Sequence, residues 1–187
     1  VGIIGVFVFF WLISAGKLGF MPTFEELENP NNRFASEVYF ADGPIMNRYF
    51  EKENRKYIEY REIPQSVIDA LIATEDVRFY DHSGVDVRGL FRVAKGLLTA
   101  NTSAGGGSTI SQQLAKMLFP RESDLNVFEL AIRKFREWVI AVRLEKSYTK
   151  EEILTMYLNK YDFLNLAVGI SSAADIYFQV PLDSLKV

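Results

Sequence analysis

Pro64-Gln-Ser-Val-Ile-Asp-Ala-Leu-Ile-Ala-Thr-Glu-Asp76 is where the chain changes character. Val67, Ile68, Leu71 and Ile72 recur at the spacing of one helix face. The helical period persists beyond Asp76. Val87 to Leu98 presents Leu90, Phe91, Val93 and Ala94, and Thr109 to about Leu118 comes after a glycine-rich loop. Phe128 to Lys146 carries Phe135, Trp138, Val139 and Val142 as a stripe. Thr149-Lys-Glu-Glu152 is a capping box that opens a further helix through Leu158. The small-residue tail, Gly169 to Phe178, is predicted helical too. There is no internal repeat, and beyond residue 65 the expectation is all α.

Upstream of Pro64 the signals differ. Ser36-Glu-Val-Tyr-Phe-Ala-Asp-Gly-Pro44 followed by Ile45 to Phe50 predicts a short β-hairpin turning at Asp42-Gly43. Residues 17–35, with Pro22, Pro30 and the Asn29-Pro-Asn-Asn32 cluster, predict a linker. Val1 to Ile13 are apolar or glycine throughout, and Lys17 is the first charge. A bilayer-spanning helix needs about 20 apolar residues, so this run is short. It also opens on valine, and the expectation is an anchor whose true start is missing. A buried core helix and a cleaved signal peptide are the alternatives. The anchor is favoured because Phe7, Phe9, Phe10 and Trp11 leave no polar face, and no small-residue cleavage pattern is clear after Ser14-Ala15.

Composition narrows the chemistry. The 187 residues suit one large domain, or one domain with an anchor. A net charge of −3 gives no reason to expect nucleic acid. The absence of cysteine excludes disulfides and thiolate metal sites, and the single histidine, His82, excludes a multi-histidine metal centre.

Three groups of residues carry reactive side chains. Glu75 lies three residues after Ile72 and seven after Ile68, so the pattern continues the buried stripe into a carboxylate. A carboxylate on an apolar face is held in the protonation range of a general acid or base unless it is paired. Glu75 and Asp76 at a helix C-terminus also oppose the macrodipole. The alternative is a frayed helix end with solvated acids. Next, Gly105-Gly-Gly-Ser-Thr-Ile-Ser-Gln-Gln-Leu-Ala-Lys116 is a glycine loop running into a helix. Backbone N–H groups with Ser108 and Thr109 suit anionic oxygen, while Gln112 and Gln113 suit sugar hydroxyls or phosphates. Lys116 lies two turns on, and the P-loop ending is absent; a flexible linker with a serine cap is the alternative. Arg133, Lys134 and Glu137 share one helix surface. Ordinary ion pairing would explain them, but beside Lys116 and the loop they become candidates for a pyrophosphate. Two carboxylates and several cations suit glycosyl transfer from a sugar pyrophosphate.

These residues also resemble a known family. Glu75-Asp-Val-Arg-Phe-Tyr-Asp-His-Ser-Gly-Val-Asp86 is similar to the first signature of the family 51 peptidoglycan glycosyltransferases, found in class A penicillin-binding proteins and monofunctional transglycosylases. Gly106-Gly-Ser-Thr-Ile-Ser-Gln-Gln-Leu-Ala-Lys116 resembles the second, and Arg133-Lys-Phe-Arg-Glu137 the third. Lys150-Glu-Glu-Ile-Leu-Thr-Met-Tyr-Leu-Asn159 resembles the fourth, and Gly169 with Ala173-Ala174 and Tyr177-Phe178 the fifth.

The resemblance implies a mainly α, lysozyme-like fold with a small N-terminal β-hairpin, a membrane-anchor helix and a smaller, membrane-facing jaw. It divides the chain into an anchor (1–20), a linker with hairpin (21–63) and a glycosyltransferase domain (64–187). The implied substrates are lipid II and the growing glycan, and undecaprenyl pyrophosphate is released with inversion to a β-1,4 link. Glu75 is similar to the general base, and Glu137 to a second essential carboxylate. Ser108, Gln113, Lys116, Arg133 and Lys134 match donor-contacting positions. Asp76, Phe79, His82 and Asp86 are expected to support the site. No obligatory cofactor or metal is implied, a divalent cation (Mg or Mn) at the pyrophosphate being the one candidate. The implied partners include the bacterial inner membrane, with the catalytic part on its extracytoplasmic side, and no nucleic acid.

Three features depart from the family pattern. Met117 stands where asparagine is common, the stretch from Leu118 to Ile132 is longer than usual, and Lys160-Tyr-Asp-Phe-Leu164 lacks the usual tyrosine-then-glycine ending. The chain stops soon after the fifth motif, where the family continues with helices and, in bifunctional members, a transpeptidase domain. The expectation is a piece of a longer protein. A lysozyme-like hydrolase or lytic transglycosylase is the nearest rival reading, although a neutral glycan would not need Lys116, Arg133 and Lys134. A non-enzymatic membrane scaffold is the other.

Overall fold

A computed structural model of the protein describes residues 2–19, 21–23, 26–27, 36–39, 45–49, 56–99, 106–119 and 126–185. The elements in chain order are α1 (Gly2–Ser14), β1 (Ser36–Tyr39), β2 (Ile45–Tyr49), α2 (Gln65–Glu75), α3 (Val87–Leu98), α4 (Ile110–Leu118), α5 (Val127–Ser147), α6 (Lys150–Lys160) and α7 (Ile170–Ala173). Several helices begin where a side chain can serve the N–H groups that have no partner in the first turn. Thr109 Oγ1 accepts from Gln112 N at the start of α4. Asn126 and Glu129 exchange side-chain and backbone bonds at the start of α5. Thr149 and Glu152 do the same for α6, with Glu152 N bonded to Thr149 Oγ1 and Thr149 N to Glu152 Oε2. The described residues are mainly helical, as expected beyond residue 65.

The chain divides into two compact units, and the division falls within α2 and within α6. The first comprises 1–30 and 72–153. Its centre is the contact of α4 with α5: Ile110, Leu114 and Ala115 are buried on one helix, Ile140, Ala141 and Leu144 on the other. The fully buried line of α5 is therefore displaced by two residues from the expected stripe, about 200° round the helix and close to its opposite face. Phe135 and Trp138 are half-buried and serve a different contact, with Phe135 meeting Phe9 and Phe10 of α1 edge-on at 5.3 and 5.7 Å.

The described residues do not show the expected anchor spanning a membrane. α1 has 13 residues, about 20 Å at the helical rise, and among the described residues no helix is long and apolar enough to cross a membrane. Its end is fixed by Arg143, whose Nη2 donates to Ser14 O at 2.8 Å and whose Nη1 donates to Pro22 O at 3.0 Å. Tyr148 Oη donates to Leu27 O, and Leu27 is fully buried. The described part of the expected linker is thus fastened to α5 and its C-terminal cap.

The second unit comprises 31–71 and 154–187. β1 and β2 pair antiparallel, Ser36 opposite Tyr49 and Val38 opposite Asn47. The turn expected at Asp42-Gly43, the Asn29–Asn32 cluster, Gly105 and residues 120–125 of the long 118–132 stretch lie outside the described residues. Asn159 ties this unit together: Oδ1 accepts from Ile58 N at 2.9 Å, and Nδ2 donates to Ile58 O at 2.8 Å. The tail predicted as one helix is a turn of α-helix, Ile170–Ala173, running into a π-helical turn, Ala174–Phe178.

Candidate active site

The first unit holds a cavity of about 410 Å³, lined by Glu75, Arg78, Asp86, Arg92, Ser108 and Gln113 among others. Glu75 and Asp76 end α2 by pointing to opposite environments. The expectation that Glu75 continues the buried stripe fails: Glu75 is exposed and Asp76 is the buried one. The helix stops at Glu75, and the next residue turns inward to serve the start of α4. Asp76 Oδ2 accepts from Ile110 N at 3.1 Å, and its carboxylate meets His82 Nε2 at 3.0–3.1 Å. His82 Nδ1 accepts from Gly84 N at 3.2 Å, so the ring hydrogen sits on Nε2 and points at Asp76. Phe79, fully buried, stands edge-on to that ring.

α4 then presents Gln113 and Lys116, three residues apart and on one face. Gln113 Nε2 donates to Glu75 Oε2 at 2.7 Å. Lys116 Nζ lies 4.0 Å from Glu137 Oε2. From α5, Lys134 Nζ donates to the same oxygen at 3.1 Å and to Ser108 Oγ at 2.8 Å. Glu137 is buried beneath these two ammonium groups. One short helix thereby links two carboxylates of different character, one open and one buried among cations. Arg133 lies on the same helix as Lys134, one residue before it and half-buried.

Not every residue expected to touch a ligand is placed to do so. Gln112 is fully buried, and its Nε2 donates to Gly84 O at 3.3 Å. Its Oε1 is buried without a hydrogen-bond partner among the described residues, and the side chain has no exposed surface. Thr109 lines the cavity, but its hydroxyl is spent on Gly84 O at 2.7 Å. Asp86 lines the cavity as half of an ion pair with Arg78, at 2.5 Å from Nη2 and 3.1 Å from Nε. The Arg78 hydrogen bond holds the Asp86 carboxyl below its ordinary value, and the same bond raises the guanidinium.

Arg78 and Arg92 line the cavity without any sequence signal that assigns them there. The eight-residue separation of Arg78 and Asp86 crosses a loop, where no period predicts a contact. Arg92 reaches the cavity from α3 and donates to Gly106 O at 3.4 Å; its only signal is a basic residue on the helix that precedes the glycine loop. Among the described residues no group of three or more His, Asp and Glu side chains could hold a metal ion.

A mainly helical chain with a cavity-lining glutamate, a glycine loop and a lysine-flanked second glutamate defines a class, and the sequence comparison agrees. Residues 42–187 match the transglycosylase family, and the chain belongs to that family. It is 38% identical over 167 residues to penicillin-binding protein 1A of Escherichia coli (strain K12), covering 89% of this chain and 19% of that protein. It is 37% identical to penicillin-binding protein 1A of Pseudomonas aeruginosa, covering 89% of this chain and 20% of that one. The protein of the same name from Haemophilus influenzae is 37% identical over 176 residues, covering 94% and 19%. The chain thus spans about a fifth of the length of the curated relatives it matches.

Proposed function

We propose that this chain carries a peptidoglycan glycosyltransferase activity, polymerising lipid II into β-1,4-linked glycan with Glu75 as general base. The observation that carries the reading is the pair of contacts made by α4, Gln113 to Glu75 and Lys116 to Glu137. In the reaction, the 4-hydroxyl of the acceptor sugar gives its proton to Glu75 as its oxygen attacks the anomeric carbon of the growing chain. The bond from that carbon to the pyrophosphate oxygen breaks, and undecaprenyl pyrophosphate leaves from the opposite face. Gln113 donates to one carboxylate oxygen of Glu75 and holds its rotamer, leaving the other to take the proton. Lys116, Lys134 and Arg133 offset the negative charge that grows on the pyrophosphate. Glu137 holds the two ammonium groups in place, and Ser108 orients Lys134.

On this reading residues 64–187 form the catalytic domain, and 21–63 carry the strand pair and its connections. α1 belongs to a single-pass anchor at the bacterial cytoplasmic membrane, with the catalytic part outside. The relatives' shared name, penicillin-binding protein, supports a transpeptidase domain elsewhere in the full-length chain.

The test is polymerisation of a fluorescent lipid-linked disaccharide pyrophosphate in detergent by the full-length protein and its Glu75→Gln variant. The expected result is polymer from the parent and a loss of at least about 100-fold in the variant. A folded parent that makes no polymer, or a variant that keeps parental rate, sinks the proposal. Digestion of preformed glycan by that parent would point to a hydrolase instead.

A further inference from the structure

Behind the Asp76–His82 contact lies a polar cluster to which the reaction above gives no task. Lys150, the first residue of α6, donates from Nζ to His82 O at 2.7 Å and to Glu145 Oε1 at 2.8 Å. Its ammonium also sits 4.2 Å from the centre of the Phe79 ring. Glu145 Oε1 accepts a second bond, from Ser111 Oγ at 2.5 Å. The Glu145 side chain is 5% exposed and that of Lys150 22%.

A buried ion pair of this kind is weak evidence for stability, because desolvating both charges offsets much of their attraction. What it does define is position. The first turn of α4 is held at two successive residues, by Asp76 at the N–H of Ile110 and by Glu145 at the hydroxyl of Ser111. His82 is held at two points as well, its ring by Asp76 and its carbonyl by Lys150. Gln113 lies two residues beyond Ser111 on the same rigid turn. Any rotation or slide of that turn moves Gln113 Nε2 away from Glu75.

We infer that Lys150 and Glu145 are positioning residues for glycosyl transfer, locking the start of α4 so that Gln113 holds the Glu75 carboxylate in its reactive rotamer. They act through Ser111, His82 and Gln113. The inference rests on the reading of Glu75 as the base. It adds a specific claim: an ionic pair at the α5–α6 corner sets the geometry of a carboxylate that it does not touch.

The test uses the full-length protein in the same polymerisation assay, with Lys150→Met, Lys150→Arg and Ser111→Ala, and with Glu75→Gln alongside. Lys150→Met is expected to lower kcat by about 10- to 100-fold, the scale on which small misplacements act, with KM within about twofold. Lys150→Arg, which keeps the charge and the donors, is expected to recover most of the loss. The side-chain amide resonances of Gln113 report the contact directly by NMR. They should move in Lys150→Met and return towards the parental position in Lys150→Arg. If Lys150→Met does not fold, Ser111→Ala decides, since it deletes one hydrogen bond and leaves the ion pair. A folded Ser111→Ala or Lys150→Met with parental kcat and unmoved Gln113 resonances overturns the inference. So does a loss of activity that tracks only the folded fraction while those resonances stay in place. Should Glu75→Gln keep parental activity, the base assignment falls on its own, and the Gln113 resonances still decide whether Lys150 positions α4.

Discussion

Among the turns whose backbone enters the left-handed region, one in each unit does so with opposite residues. In the first unit, Gly84 has φ +96° and closes the loop that runs from Arg78 to Asp86. In the second, Leu164, Asn165 and Leu166 take φ values of 69°, 50° and 66° in succession. Asparagine adopts this conformation at modest cost, whereas leucine does not. The surroundings account for the difference. Gly84 is buried against α5, and a Cβ there would lie 2.7–2.8 Å from the backbone of Ala141 and Val142. Its carbonyl takes hydrogen bonds from both Thr109 and Gln112. Leu164 and Leu166 are two-thirds exposed, and their turn is closed by Phe163 N to Ala167 O and Ala167 N to Leu164 O. A turn that supports the site is pressed from outside and must be glycine. A turn at the surface has room to hold strained side chains.

The sharpest way to break this contrast is Gly84→Ala. The added methyl meets helix backbone rather than a side chain that could swing aside, and the residue must also keep φ +96°. The expected loss is about 3 kcal/mol or more, at the upper end for overpacked positions. Urea denaturation followed by circular dichroism measures it. A variant within about 0.5 kcal/mol of the parent would mean that the loop can lift away from α5 at little cost.

Asp86→Asn probes the neck of the same loop and should cost less. The Arg78 hydrogen bond holds the Asp86 carboxyl below its ordinary value. A group depressed in the folded state adds stability above its unfolded value, about 3.9, and loses it as pH falls through the folded value. The parent should therefore be the more stable at neutral pH, and the gap between the two proteins should shrink as pH is lowered below about 4. Denaturation midpoints between pH 7 and pH 3 give the comparison. A gap that stays constant across that range would show that the Arg78 contact adds nothing that titrates.

How much of this could be read from the sequence depends on whether contacts are periodic. The helices from Gln65 onward follow from local spacing and caps, as do the placement of Lys134 three residues before Glu137 and of Gln113 three before Lys116. The resemblance of five ordered segments also directed attention to Glu75 and Glu137. What escaped was set by tertiary geometry. Spacing alone put Glu75 on the buried face, because nothing local says that the helix ends there and that Asp76 turns inward to Ile110 N. Gln112 and Gln113 look alike in sequence; one is buried against Gly84 and the other meets Glu75, a distinction made by the packing of α4 on α5. The Arg78–Asp86 and Lys150–Glu145 pairs cross a loop and a helix junction, where sequence spacing carries no angular information. Leu164 is a third kind of case: the departure from the family's glycine was visible, but its left-handed backbone was not.

That position gives the smallest effect, and it sharpens the comparison most directly. Leu164→Gly removes a left-handed penalty of about 1–2 kcal/mol per residue. It also gives the unfolded chain more freedom, which costs about 0.5–1 kcal/mol. Little packing is lost, since the side chain is 69% exposed. The hydrogen bond from Leu164 N to Asp162 Oδ1 uses backbone only on the leucine side and survives the change. The net expectation is a gain of about 0.5–1 kcal/mol in denaturation free energy, the opposite sign to Gly84→Ala. A neutral or destabilised Leu164→Gly would show that the packing of the remaining third of the leucine side chain offsets its backbone cost. The difference between the two turns would then reflect side-chain packing rather than available space.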